Sequence, residues 1–106
     1  VKPTEIIKEL KKYAVNLTVT NLDYWERLGL VSVPHKKGFT RRYSDEDSKK
    51  IIIIVALRQA YKSMNEIKVL LGDRTEAFRV LNASYFKQPK LWEKAMEVLH
   101  ASKTNQ

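Results

Sequence analysis

The sequence contains no cysteine. That absence excludes disulfides, thiolate zinc sites, cysteine nucleophiles and thiol-based sensing, and it suits a reducing cytosol. Glycine and proline are scarce, at three residues each, and no Gly-rich phosphate loop, internal repeat or low-complexity segment is present. Long apolar runs are missing too. The longest, Ile51-Ile52-Ile53-Ile54-Val55-Ala56-Leu57, falls far short of the roughly 18 residues a membrane span needs. The N-terminus lacks the basic-then-apolar pattern of a signal peptide. It opens on Val rather than Met, as expected of a processed chain or one cut from a longer gene product. Acids are outnumbered, 12 Asp+Glu against 20 Lys+Arg in 106 residues, for a formal net charge of +8. This is one domain's worth of chain, which disfavours a two-domain enzyme with an interdomain cleft. The 43% apolar content is enough for a small core.

The positive excess is gathered rather than spread. Residues 1–43 carry +5, residues 44–72 carry +1 and residues 73–106 carry +2. Within the first part, His35-Lys36-Lys37-Gly38-Phe39-Thr40-Arg41-Arg42 has four fixed positive charges and no acid. Taken alone, such a run reads as a solvated loop; its neighbours change that reading.

Thr4 precedes Ile6, Ile7, Leu10 and Ala14, an apolar stripe at helical spacing with Lys8, Lys11 and Lys12 opposite, so residues 4–14 are expected to be an amphipathic helix capped by Thr4. Asn16 would then supply the positive φ of a tight turn. Thr18 starts a second helix whose Leu22, Trp25 and Leu28 share one face, and Gly29 ends it, a helix-turn-helix pattern. The segment Leu30-Val31-Ser32-Val33-Pro34 alternates and is β-prone, and Phe39 to Tyr43 can return beside it, with the basic residues at the tip of the hairpin. Ser44-Asp45-Glu46-Asp47 is a capping sequence for a third helix. The Ile run could be a buried strand by propensity, but the cap before it and the unbroken continuation after it favour a helix over 45–60. Tyr61-Lys62 is a short connection. Ser63-x-x-Glu66 is a capping box for a fourth helix through Met64, Ile67, Leu70 and Leu71, closed by Gly72. Two more helices are expected at 75–86 and 90–101, separated by Pro89, with Lys103 to Gln106 as a frayed tail.

Two helices, a basic hairpin and two further helices form the layout of a winged helix-turn-helix. Leu22-Asp23-Tyr24-Trp25-Glu26-Arg27-Leu28-Gly29-Leu30-Val31 resembles the second helix of MerR-family transcriptional regulators; Arg41-Arg42-Tyr43-Ser44-Asp45-Glu46-Asp47 resembles the end of that family's wing and the start of its third helix; Glu66-Ile67-Lys68-Val69-Leu70-Leu71 is similar to its fourth. The resemblance covers about residues 4–72, and three pieces in order at compatible spacing are specific. It implies a mostly α fold: four helices plus a small β-hairpin wing in a DNA-binding domain at 1–72, then a short C-terminal helical hairpin in an extension at 73–106. It also implies a recognition helix at 18–28 in the major groove of double-stranded DNA, with the wing at 35–42 on flanking backbone or in the minor groove.

With Leu22, Trp25 and Leu28 inward, Thr20, Asn21, Tyr24 and Arg27 project outward and offer hydrogen-bonding groups. Tyr24 and Arg27 suit phosphate as well as base edges, and Thr18 serves mainly as cap. Lys36, Lys37, Arg41 and Arg42 are assigned to phosphate, which positions without reading sequence. His35 is a backbone contact or a solvated tip residue. The chain departs from the family at Asp23, where Arg is common; a base-directed or structural role is expected there, since an acid facing phosphate is repelled. It departs again at Tyr61-Lys62, where the family often has Gly.

By resemblance the chain works as, or within, a bacterial regulator in the cytoplasm, on the nucleoid, with a homodimer bending or untwisting a pseudo-palindromic promoter element. RNA polymerase or an effector domain of a longer chain would be further partners. The family's long coiled-coil helix and sensor are not evident; 75–101 reads instead as a hairpin packing Phe78, Leu81 and Phe86 with Leu91, Trp92 and Met96. Two alternatives remain: a non-regulatory DNA binder serving phage packaging, excision or chromosome organisation, and a protein-interaction module through 75–101. Neither His35 nor His100 has a nucleophile or ligand partner nearby in this layout, and no paired carboxylates are visible, so no catalysis, metal or cofactor is expected.

Overall fold

The computed structural model describes residues 2–32, 43–84 and 88–104, with the backbone alone for 101–104. The described residues form six helices and no strand: α1 (Pro3–Lys11), α2 (Val19–Arg27), α3 (Asp45–Gln59), α4 (Met64–Leu71), α5 (Arg74–Ala83) and α6 (Pro89–Thr104). The chain divides into two compact units, Val1–Ile51 and Ile52–Gln106.

In the first unit, Ile6 and Leu10 of α1, Leu17 of the turn, Leu22 and Trp25 of α2, then Leu30, Val31, Tyr43 and Ile51 are buried. α1 starts one residue earlier than its apolar stripe suggests. Pro3 stands in the first turn, where its missing N–H is no loss, and the N-cap is Lys2 with no side-chain bond, so Thr4 is not the cap. The positive φ after α1 falls on Ala14 (+59°), not on Asn16. Here Ala14 N–H donates to Lys11 O at 3.0 Å and Val15 N–H to Leu10 O at 3.2 Å, the paired bonds of a Schellman ending. The apolar Val15 and Leu10 occupy the positions that such an ending favours with a hydrophobic contact.

The same ending recurs twice. Gly29 (φ +77°) donates to Glu26 O while Leu30 donates to Trp25 O, both at 3.0 Å. Tyr61 (φ +60°) donates to Arg58 O at 3.0 Å and Lys62 to Leu57 O at 3.1 Å. Tyr61-Lys62 therefore makes the turn that glycine would make more easily. Tyr61 is 88% exposed, so its ring gives little packing in return for a left-handed backbone. Replacing Tyr61→Gly is expected to stabilise the fold by about 0.5–1 kcal/mol, the relief of strain exceeding the added freedom of the unfolded chain. The urea midpoint measures this; a fall in the midpoint would contradict it.

The expected β-prone alternation breaks down at its start. Leu30 and Val31 are both buried and neither is in a strand; the backbone N–H of Leu30 is spent on Trp25 O in the Schellman ending. The rest of the expected hairpin, residues 33–42, lies outside the described residues.

The Ile run is helical, and Ile53, Ile54, Val55, Ala56 and Leu57 are buried in the second unit. A stretch of helix that is apolar all round calls for enclosure on most sides, and within this run only Ile52 is left half-buried. α4 carries the expected capping box: Ser63 Oγ accepts from Glu66 N–H, and Glu66 Oε1 accepts from Ser63 N–H, both at 3.2 Å. The Ser63 backbone N–H holds the Glu66 carboxyl below its ordinary range. This half of the cap is present at neutral pH and is lost as acid titrates the carboxylate.

α5 begins earlier than expected, at Arg74, because Asp73 caps it by accepting from Glu76 N–H at 3.1 Å. It ends at Ala83, where Ser84 Oγ–H donates to Val80 O at 2.6 Å. α6 begins at Pro89 and continues to Thr104, so Lys103 is part of the helix rather than of a frayed tail. α4 packs on α5 and α5 on α6. The Trp92 indole N–H donates to Leu81 O at 2.9 Å, tying α6 to α5. Leu81, Leu91, Ala95, Val98 and Leu99 fill the hairpin, while Phe78, expected inside, is 43% exposed. Ala77 takes the inward position instead. Tyr85 and Phe86 lie outside the described residues.

Candidate nucleic-acid interface

α2 is built to present one face. Thr18 has extended dihedrals and closes a capping box: its Oγ1 accepts from Asn21 N–H at 3.2 Å, and Asn21 Oδ1 accepts from Thr18 N–H at 3.1 Å. The Thr18 hydroxyl also donates to Asn21 Oδ1, at 2.9 Å. Leu22 and Trp25 are buried, so at 100° per residue Thr20, Tyr24 and Arg27 fall on the opposite side within about 60° of one another. All three are exposed. Asp23 is half-buried on the same side, and Val19 at the tip of the helix is also exposed.

The structure thus separates the sequence candidates. Thr20, Tyr24 and Arg27 share the outward face, whereas Thr18 and Asn21 are bound to each other at its N-terminus. With Asn21 Oδ1 holding the cap, the side chain has only its amide N–H groups to offer a ligand. His35, Lys36, Lys37, Arg41 and Arg42 lie outside the described residues.

The flanks of that segment are firmly held. On the near side, Ser32 N–H donates to Asp47 Oδ1 at 3.2 Å. On the far side, the Tyr43 hydroxyl donates to Glu26 Oε1 of α2 at 2.5 Å, and Ser44 Oγ–H donates to Asp47 Oδ2 at 3.1 Å while accepting from Asp47 N–H at 3.1 Å. Ser44 is the expected cap of α3. Asp47, 5% exposed, does more than the sequence suggests. An acid three residues after a Ser cap signals a cap, but nothing local shows that its second oxygen reaches Ser32. Tyr43 and Glu26 were likewise visible only as parts of motifs, not as a pair.

A cleft of about 430 Å³ in the second unit lies at the start of α5, among Asp73, Arg74, Phe78 and His100. Among the described residues no group of three or more His, Asp or Glu is placed to hold a metal ion, and no helix is long and apolar enough to cross a membrane.

No curated protein and no solved structure matches the chain. A family match is found over residues 7–73, from within α1 to the cap of α5, to the family described as MerR HTH family regulatory protein. The matched span exceeds half of the sequence and contains the capped α2 with its polar outward face, and the chain therefore belongs to the MerR helix-turn-helix family of DNA-binding regulators.

Proposed function

We propose that the chain binds double-stranded DNA sequence-specifically as, or as part of, a bacterial MerR-like transcriptional regulator, with residues 18–28 in the major groove and the basic segment 35–42 on the backbone. Residues 1–72 form the DNA-binding part and 73–106 the extension, and the protein acts in the cytoplasm on the nucleoid, with no catalytic role. The observation that carries this reading is the outward face of α2. Thr20, Tyr24 and Arg27 are exposed together on a helix whose other side is fully buried, and hydroxyls and a guanidinium suit base edges and phosphates alike.

Selection of bound sequences from a random DNA pool tests it. A palindromic consensus is expected and would also report a homodimer; enrichment of no sequence would reject specific recognition. Footprinting then separates a promoter operator from clustered sites in a packaging or attachment locus.

Asn21 provides a sharper check. Asn21→Asp keeps an oxygen on the Thr18 N–H and places an acid in the first turn, so the helix should be as stable as before or more so. Its amide donors are gone and a negative charge faces the groove. Thermal unfolding is expected to stay within a few degrees, while DNA affinity falls on the order of tenfold or more. Retained affinity would confine Asn21 to the cap. Asn21→Ala should instead lower both, since it removes half of the capping box at about 1 kcal/mol.

A second reading, protein contact through 75–101, is favoured by Phe78, an aromatic ring exposed on α5. Deleting 75–106 distinguishes the two: DNA affinity should survive in a soluble product if the extension serves a partner.

A further inference from the structure

We infer that the cleft at the start of α5 is a binding site for a small aromatic carboxylate, its ring against Phe78 and Leu99 and its acid group on Arg74. The site lies wholly within the second compact unit and does not depend on the proposed DNA contacts.

The volume of about 430 Å³ falls within the range of about 300–1,000 Å³ that small-molecule sites occupy. Two helices form the walls. The start of α5 supplies Asp73, Arg74, Thr75 and Phe78, and α6 supplies Leu99 and His100. Arg74 and Phe78 are four positions apart, so the guanidinium and the ring stand on one face of α5. Leu99 is 3% exposed and adds an apolar wall, whereas Phe78 leaves 43% of its surface open. An aromatic ring left half-open beside a buried leucine offers an apolar contact that the fold itself does not complete.

The charge of the ligand follows from how the acids of this unit are used. Lys62 pairs with Glu66, Arg79 with Glu76 and Lys94 with Glu97. Glu76, two residues beyond Arg74, is taken at both oxygens by the guanidinium of Arg79. Asp73, on the other side, is engaged at the helix start, where its Oδ1 accepts from Glu76 N–H at 3.1 Å. Among the described residues Arg74 has no ion pair, although it is half-buried. The backbone N–H groups of Arg74 and Thr75 also find no acceptor among the described residues, and the helix dipole there favours negative charge. His100 adds a ring N–H donor. A planar carboxylate satisfies a guanidinium in bidentate fashion. An ammonium group would instead meet Arg74 as a like charge, with only the already bonded Asp73 to hold it.

Calorimetric titration of the full chain with naphthoate, naphthamide and naphthylmethylammonium tests this. Naphthoate is expected to bind with a Kd on the order of 100 μM; naphthamide should bind about tenfold more weakly and the ammonium probe more weakly still. Arg74→Gln should weaken naphthoate about tenfold or more and leave naphthamide within about twofold, since only the carboxylate uses the charge. Phe78→Ala should weaken both by about threefold to tenfold. In amide NMR spectra, the shifts on adding naphthoate should centre on Gly72, Arg74, Thr75 and His100. No binding of naphthoate at millimolar concentration, tighter binding of the ammonium probe, or shifts centred on α1 and α2 would each overturn the inference. Equal losses of naphthoate and naphthamide in Arg74→Gln would do the same. Should Phe78→Ala fail to fold, the contrast between probes in Arg74→Gln decides alone. No readout involves DNA, so each of these failures leaves the proposed function standing.

Discussion

Replacing Lys36, Lys37, Arg41 and Arg42 together by Ala is expected to weaken binding to every DNA sequence, specific or not, on the order of a hundredfold at moderate salt. The reason is counterion release: each phosphate neutralised contributes about 0.9 to the slope of log affinity against log salt, so losing four contacts flattens the slope by up to about 3.6. Sequence preference should change little, because phosphate contacts orient a protein without reading bases. Thr20, Tyr24 and Arg27 would still choose among sequences, at lower affinity. The measurement is the salt series on a consensus duplex and a scrambled one. A slope that does not change would remove the segment from the interface, and a changed consensus would make these residues readers rather than anchors.

Trp25→Ala is expected to have the largest effect on stability, a loss of about 3–5 kcal/mol. Trp25 is 1% exposed and among the largest fully buried side chains. It lies on the inner side of α2, and its carbonyl accepts the Leu30 N–H that closes the Schellman ending. Removing the indole leaves a void beneath the outward face, and a nine-residue helix has little packing elsewhere to compensate. Set against a total stability of roughly 5–15 kcal/mol for a small domain, that loss should leave a substantial unfolded fraction at 37 °C and abolish DNA binding without touching a group proposed to face DNA. Urea denaturation followed by circular dichroism measures it, with Trp92 as the remaining indole reporter. A cost under about 1 kcal/mol would show that the ring is dispensable to the core.

Much of this was legible in the sequence wherever a residue acts on its own neighbourhood. Ser63 with Glu66, Ser44 before its acids and Thr18 before α2 announce helix starts, because a cap is a contact three residues long. The Ile run could be assigned to a helix from its flanks. Helix ends were read less well. Only one of the three Schellman endings uses the glycine that marks such a turn; at Ala14 and Tyr61 the same pair of hydrogen bonds closes on a non-glycine residue, and side-chain type gives no warning. Asn16 is the more plausible residue by propensity, yet the positive φ falls on Ala14. Phe78 shows the same limit in packing. Its spacing fits an inward stripe, yet Ala77 and Leu81 are the buried residues of α5, and the ring of Phe78 stays exposed.

On α2, the outward positions of Thr20, Tyr24 and Arg27 follow directly from helical period. The bonds of Asp47 and Tyr43 did not, since they join residues 15 and 17 positions apart, beyond any local pattern. The role of Asn21 fell between: its spacing from Thr18 is that of a capping box, but Gln or Glu is the usual partner there, and Asn in an exposed turn reads first as a contact residue.

The passage of α3 through the boundary between the two compact units bears on how this protein can be dissected. Most multi-unit chains offer a loop at which a protease or an engineer can separate the parts. Here the boundary between Ile51 and Ile52 falls inside a continuous helix of 15 residues. A cut there would leave stubs of seven and eight residues, too short to hold helical form on their own in water. Limited proteolysis should therefore spare this junction, and any minimal fragment must carry α3 whole.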